Sequence, residues 1–170
     1  HALTADGPLE YLEQPCKSVP ELAEVRRRVD VPVAADESIR KADDPLHVVR
    51  SGAADIAVLK VAPLGGVRAM LIIAGQIDIP AVVSSALDSA VGIGAGLIAA
   101  GCLPGLPYAC GLGTGSLFVE DVVEPVTPVD GYLPVATATP SLARLATLAA
   151  PPERRQWWIE RVRTCFPLLS

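Results

Sequence analysis

Ile56-Ala57-Val58-Leu59-Lys60-Val61 is an apolar run broken by one charged residue near its end. It is short, rich in β-branched residues, and does not alternate with polar ones. A strand of this kind is covered on both faces, as in a parallel sheet enclosed by helices. Runs of the same form recur at residues 9–12, 31–35, 80–84 and 107–111.

Helix signals fill the spaces between the first four runs and after them. Ser18 is placed to cap a helix over 18–29, with Glu21 three residues on to close a capping box. Residues 45–50 read as a short helix stopped at Gly52, residues 66–76 are helical by composition, and the Ala/Gly-rich stretch 89–100 reads as a buried helix stopped at Gly101. Strand–helix alternation calls for parallel strands with crossover helices.

The strand ends choose between a doubly wound sheet and a (β/α) barrel. They carry Glu13, Asp36, Lys60, Ser84 and Gly111, at intervals of 23, 24, 24 and 27 residues. A barrel gathers its chemistry at the C-terminal ends of several strands facing one mouth. A doubly wound sheet concentrates its site at one switch point and wants a glycine-rich loop after its first strand. Here that loop reads Gln14-Pro15-Cys16. The expected fold is therefore α/β, a parallel (β/α) barrel with about five βα units over residues 1–118. The chain opens at His1, without Met and close to its first strand, so the N-terminal strands are expected to be missing. Residues 119–170 are expected to form an extended, Val/Pro-rich segment with a turn at Asp130-Gly131. An amphipathic helix over 152–165 should follow, its Trp157 and Trp158 docked on the body of the protein.

Composition narrows the function. Hydrophobic residues are 51% of the chain, which excludes general disorder, and aromatics are 4%, so the core is aliphatic. A net charge of -5 with scattered basic residues argues against nucleic acid. The most apolar stretch, 90–103, is short and interrupted by four glycines, which argues against a membrane span. Cys16, Cys102, Cys110 and Cys165 show no C-x-x-C spacing, so a zinc site has no support and a reducing, cytoplasmic compartment is expected. No basic-then-apolar leader opens the chain. His1 and His47 offer no nucleophile–base pair, and Cys16 has no base beside it.

Two carboxylates converging on one mouth, Glu13 and Asp36, suit a hard cation such as Mg²⁺. Glu37 follows Asp36, and continued as a strand it would face the other way. Lys60 is costly to bury unless paired or used. Near a cation-held anion its ammonium could stabilise developing charge or relay a proton. Ser84, Ser85 and the run Gly111-Leu112-Gly113-Thr114-Gly115 offer hydroxyls and backbone N–H groups suited to a carboxylate.

Leu12-Glu13-Gln14-Pro15, then Ala34-Ala35-Asp36-Glu37-Ser38, then Leu59-Lys60-Val61 with Gly65-Gly66, taken in this order and spacing, resemble the muconate-lactonising subgroup of the enolase superfamily. The resemblance covers roughly residues 3–135. It implies a modified barrel with a separate capping domain and one Mg²⁺, or Mn²⁺ in its place, on three carboxylates. Glu13 and Asp36 match two of these, and Lys60 matches the lysine that stabilises the substrate-derived anion. Ser84-Ser85, the 111–117 run and, more weakly, Trp157-Trp158 resemble the lyase branch that dehydrates 2-succinyl-6-hydroxy-2,4-cyclohexadiene-1-carboxylate. There Ser84, Ser85, Gly111, Gly113 and Thr114 would hold the substrate's carboxylate and succinyl groups. The third carboxylate, the lysine pair that includes the base, and the capping domain are expected before His1. The 170 residues alone are therefore expected to be inactive. N-acylamino-acid racemisation or dipeptide epimerisation, muconate cycloisomerisation, and a non-catalytic half-barrel that assembles with a partner or another copy are the competing functions.

Overall fold

The computed structural model describes residues 7–40, 44–124 and 126–169. Its elements run β1 (Leu12–Glu13), α1 (Val19–Arg26), β2 (Val33–Ala35), α2 (Glu37–Arg40), α3 (His47–Arg50), β3 (Ile56–Lys60), α4 (Val67–Ala74), β4 (Ala81–Ser84) and α5 (Ala90–Gly101). A 3₁₀ turn (Thr114–Leu117), α6 (Leu142–Thr147), α7 (Pro152–Cys165) and a second 3₁₀ turn (Phe166–Leu169) complete the chain.

The four strands form one parallel sheet in sequence order. Glu13 pairs with Ala34, Ala34 with Ile56, Val58 with Val82, and Lys60 with Ser84. The expected fifth strand over 107–111 is reduced to a single bridge between Ser84 and Gly111. Gly111 donates its N–H to the Val83 carbonyl at 2.9 Å and accepts from the Ser85 N–H at 3.1 Å.

This register sorts the sheet residues onto two faces. Val33, Ala35, Ala57, Leu59 and Val83 pack with Leu22, Ile39, Val48, Met70 and Ile93 of the helices. Each fully buried Val, Leu or Ile in such a layer contributes about 1.5–3 kcal/mol. Ala34, Ile56, Val58 and Val82 form a second buried layer on the opposite face, against Tyr11 and Tyr108. The two tyrosine rings meet edge to face at 5.5 Å, closing that layer across the sheet.

The helices follow their local signals, with shorter ends. Ser18 and Glu21 form the reciprocal capping box, and α1 stops at Arg26 rather than at residue 29. α5 carries the 133–138 segment closely over Gly94, where a Cβ would stand 3.1 Å from the Ala136 carbonyl oxygen. Ser89 makes no side-chain cap on α5. The Asp121 carboxylate takes the Ala90 N–H instead, at 2.7 Å, and is itself buried. The turn at Asp130-Gly131 forms as expected, closed by Val129 and Tyr132.

Among the described residues α7 is not docked on the body. α7 buries none of its described residues, and Trp157 and Trp158 are 45% and 52% exposed. The rings pack on each other at 4.7 Å, and Arg154 and Arg161 lie over Trp157. Trp158, Val162 and Cys165 share one face of this helix at helical spacing, and among the described residues no other element buries it.

At the end of the sheet opposite the strand-end carboxylates, Asp55 ties three segments together. Its carboxylate accepts from Arg26 Nε at 2.8 Å and from the Val33 N–H at 3.0 Å, and Arg26 also donates to the Gly52 carbonyl. The Arg26 hydrogen bond holds the Asp55 carboxyl below its usual range, with burial opposing and the Val33 N–H helping. A depressed folded-state pKa gives stability that is present above the unfolded value of about 3.9 and lost as pH falls through the folded value. Asp55→Asn is therefore expected to cost about 1 kcal/mol at pH 7, a modest figure because the Arg26 and Asp55 side chains stay 40% and 32% exposed. Urea unfolding at pH 7 and at pH 3 checks this. The difference should shrink at the lower pH, and a constant difference would assign the effect to shape alone.

Candidate active site

Glu13, Asp36, Lys60 and Ser84 stand at the C-terminal ends of β1 to β4 or directly after them. By register all four share the face of Ala34, Ile56, Val58 and Val82, away from the helices. They are one row of polar groups at the rim of an apolar layer.

Asp36 is the centre of this row. It is 3% exposed, and its carboxylate accepts from Lys60 Nζ at 2.7 Å and from Arg40 Nε at 2.9 Å. Lys60 and Arg40 are themselves only 12% and 21% exposed, so each charge is desolvated next to its counter-charge. Arg40 also pairs with Glu37. Glu37 does not continue the strand. It opens α2, because Asp36 ends the ladder and its carbonyl accepts from the Ile39 and Arg40 N–H groups.

Glu13 remains open to solvent, yet its carboxyl is raised above the usual range. Partial burial is the larger cause, Asp36 adds to it, and Lys60 opposes it. Glu13 and Asp36 thus repel across the mouth, and Lys60 stands with them.

The remaining expected residues divide. Ser84 lies in the row. Ser85, one residue on, is buried and shares a 2.6 Å hydrogen bond with Thr114, fastening the end of β4 to the loop that follows Gly111. Gly111 is not a free donor, because its N–H and carbonyl continue the sheet. A side chain there would crowd Ser84, since a Cβ would stand 2.5 Å from its Oγ and 3.1 Å from its Cβ. Gly113 is exposed and borders a cavity of about 300 Å³. That cavity lies between α5 and the 121–139 segment, and none of Glu13, Asp36 or Lys60 lines it.

Sequence reasoning missed Gln14, Arg40 and Asp121. Arg40 was within reach, four residues from Asp36 at a helix start, where such pairs meet. Gln14 lay in plain view inside Glu13-Gln14-Pro15, but its partners come from the neighbouring unit. Asp121 offers no local signal, because the helix it caps begins 31 residues earlier.

As a donor set the row suits a hard divalent cation in kind, two carboxylates with oxygen donors. It is incomplete in number, since among the described residues no three His, Cys, Asp or Glu side chains come together.

Residues 1–140 match the family described as Enolase C-terminal domain-like. The chain belongs to this family. Enzymes of the enolase superfamily generally use Mg²⁺. Within it, the chain is 74% identical over 168 residues to the o-succinylbenzoate synthase of Mycobacterium leprae (strain TN), covering 99% of this chain and 50% of that protein. It is 73% identical to the o-succinylbenzoate synthase of Mycobacterium tuberculosis (strain ATCC 25618 / H37Rv), covering 99% and 52%. The chain thus spans about half the length of the curated relatives it matches. Among solved structures it is similar to the muconate lactonizing enzyme of Pseudomonas putida, with 28% identity, TM-score 0.76, and 87% and 44% of the two chains covered. It is also similar to the Pseudomonas fluorescens enzyme complexed with muconolactone, with 28% identity, TM-score 0.75, and 85% and 42% covered. These likenesses confirm the barrel-type α/β fold and the family read from the motifs. Among the described residues no helix is long and apolar enough to cross a membrane.

Proposed function

We propose that this chain carries the catalytic mouth of an o-succinylbenzoate synthase, a hydro-lyase converting 2-succinyl-6-hydroxy-2,4-cyclohexadiene-1-carboxylate to o-succinylbenzoate in menaquinone biosynthesis. The observation that supports it most is the row Glu13, Asp36, Lys60 and Ser84 on one face at consecutive strand ends, with Lys60 paired to Asp36. Residues 1–118 supply the barrel units and residues 119–170 the segment beyond them.

In this reading Glu13 and Asp36 hold Mg²⁺, or Mn²⁺ in its place, together with a third donor from outside the described residues. The bound cation supplies positive charge to the substrate carboxylate, which makes the adjacent C–H more acidic. Lys60 does the rest of the electrostatic work from this chain. Its ammonium stands at the mouth, where it favours the negative charge that develops on proton loss. Ser84 can hydrogen-bond the succinyl arm from the same face. The Ser85–Thr114 bond and Gly111 hold that wall in place, and the exposed Gly113 backbone adds a donor for a carboxylate. The four cysteines are unpaired, consistent with a cytoplasmic enzyme. The ligand is a small carboxylate rather than nucleic acid or membrane, and self-association remains compatible with the site.

The test is turnover of the cyclohexadiene by the intact protein, followed through the absorbance of the aromatic product. Activity should disappear with EDTA and return with Mg²⁺. No dehydration in Mg²⁺, combined with deuterium exchange at Cα of an N-succinylamino acid, would replace this reading with a racemase.

A further inference from the structure

Gln14 occupies an uncommon backbone conformation, φ 41°, which a non-glycine residue adopts only when its surroundings demand it. Its main-chain N–H continues the ladder to the Ala34 carbonyl at 2.8 Å. The chain then turns, and the side chain crosses to the end of β2. Oε1 accepts from the Asp36 N–H at 2.9 Å and from the Ser38 N–H at 3.2 Å. Nε2 donates to the Cys16 carbonyl at 2.9 Å and to Ser38 Oγ at 2.8 Å. Oxygen faces two donors and nitrogen faces two acceptors, so the amide has one good orientation. Every polar position of this side chain is engaged, with the Cys16 carbonyl just after Glu13, the Asp36 N–H, and the Ser38 N–H and hydroxyl just after Asp36.

We propose that Gln14 is a positioning residue, a cross-unit clamp that sets the separation of Glu13 and Asp36 and so the fit of the cation between them. This rests on the reading of those two carboxylates as cation ligands. A ligand's supporting hydrogen bonds are worth about 10–100-fold in metal affinity. No other residue links the two strand ends in this way among the described ones.

The experiment titrates the intact protein with Mn²⁺ alone by calorimetry, and follows amide hydrogen exchange of Asp36 and Ser38 without metal. In Gln14→Ala, Mn²⁺ binding should weaken about 10–100-fold and both amides should exchange faster. At saturating metal, KM for the diene should change little. Gln14→Glu keeps the acceptor and should keep the slow exchange, which covers the case where Gln14→Ala fails to fold. Asp55→Asn, destabilised at the far end of the sheet, should bind Mn²⁺ as the unsubstituted protein does. Unchanged affinity and unchanged exchange in folded Gln14→Ala would overturn the clamp alone. Absence of Mn²⁺ binding by the unsubstituted protein would overturn the ligand reading, and the proposal with it.

Discussion

Lys60→Ala is expected to lower kcat of the intact protein by about 10²–10⁴-fold, the usual contribution of a positioned proton-transfer or charge-stabilising group. The ammonium is 12% exposed and 2.7 Å from Asp36 Oδ2, at the end of a fully apolar strand. Asp36 keeps Arg40 when Lys60 is removed, so the fold should survive and metal binding should persist. Lys60→Arg should not restore the rate, because a planar guanidinium cannot place its charge where the compact ammonium sat. Steady-state kinetics beside a melting curve and a Mn²⁺ titration separate the effects. A loss below tenfold in a folded, metal-binding variant would remove Lys60 from the chemistry.

Asp36→Ala should have the largest effect on stability, about 2–3 kcal/mol in metal-free buffer. Breaking a buried pair from one side commonly costs more than a surface pair contributes, because the other charge stays desolvated. Here Lys60 loses its direct ion pair and keeps only the longer-range attraction of Glu13, whereas Arg40 retains its pair with Glu37, which moderates the cost. Adding Lys60→Met to Asp36→Ala should recover part of the loss, and the double-mutant cycle gives the coupling directly. Denaturant unfolding of the four variants checks this. A single-variant loss below about 0.5 kcal/mol would mean the pair behaves as a surface contact. Cation affinity should fall in both variants that lack Asp36.

The strand ends were legible because each apolar run closes with one chemically distinct residue. Glu13, Asp36, Lys60 and Ser84 occur at intervals near 24, and the parallel register brings that periodicity onto one face. The capping box at Ser18 and Glu21 and the turn at Asp130-Gly131 were legible for a different reason, since both depend on residues three or fewer apart. Gly111 shows where such reading stops. Its position in a glycine-rich run suggested free N–H donors, and the sheet instead engages them, because β4 needs a neighbour on that edge. Trp157 and Trp158 show the same limit, since aromatic content does not say whether a covering surface is present.

The sequence by itself determined the parallel βα alternation, the two-face layering of the strands, and which polar residues close them. These follow from local period and from the requirement that both faces of each strand be apolar. Only the tertiary structure decided how those residues are partnered: Asp36 between Lys60 and Arg40, Gln14 across two strand ends, Ser85 on Thr114, and Asp121 on the start of α5. Most of these contacts join residues 22 to 31 positions apart, so no local pattern encodes them. They exist because burial beside a neighbouring unit leaves each polar group with the partner that unit presents.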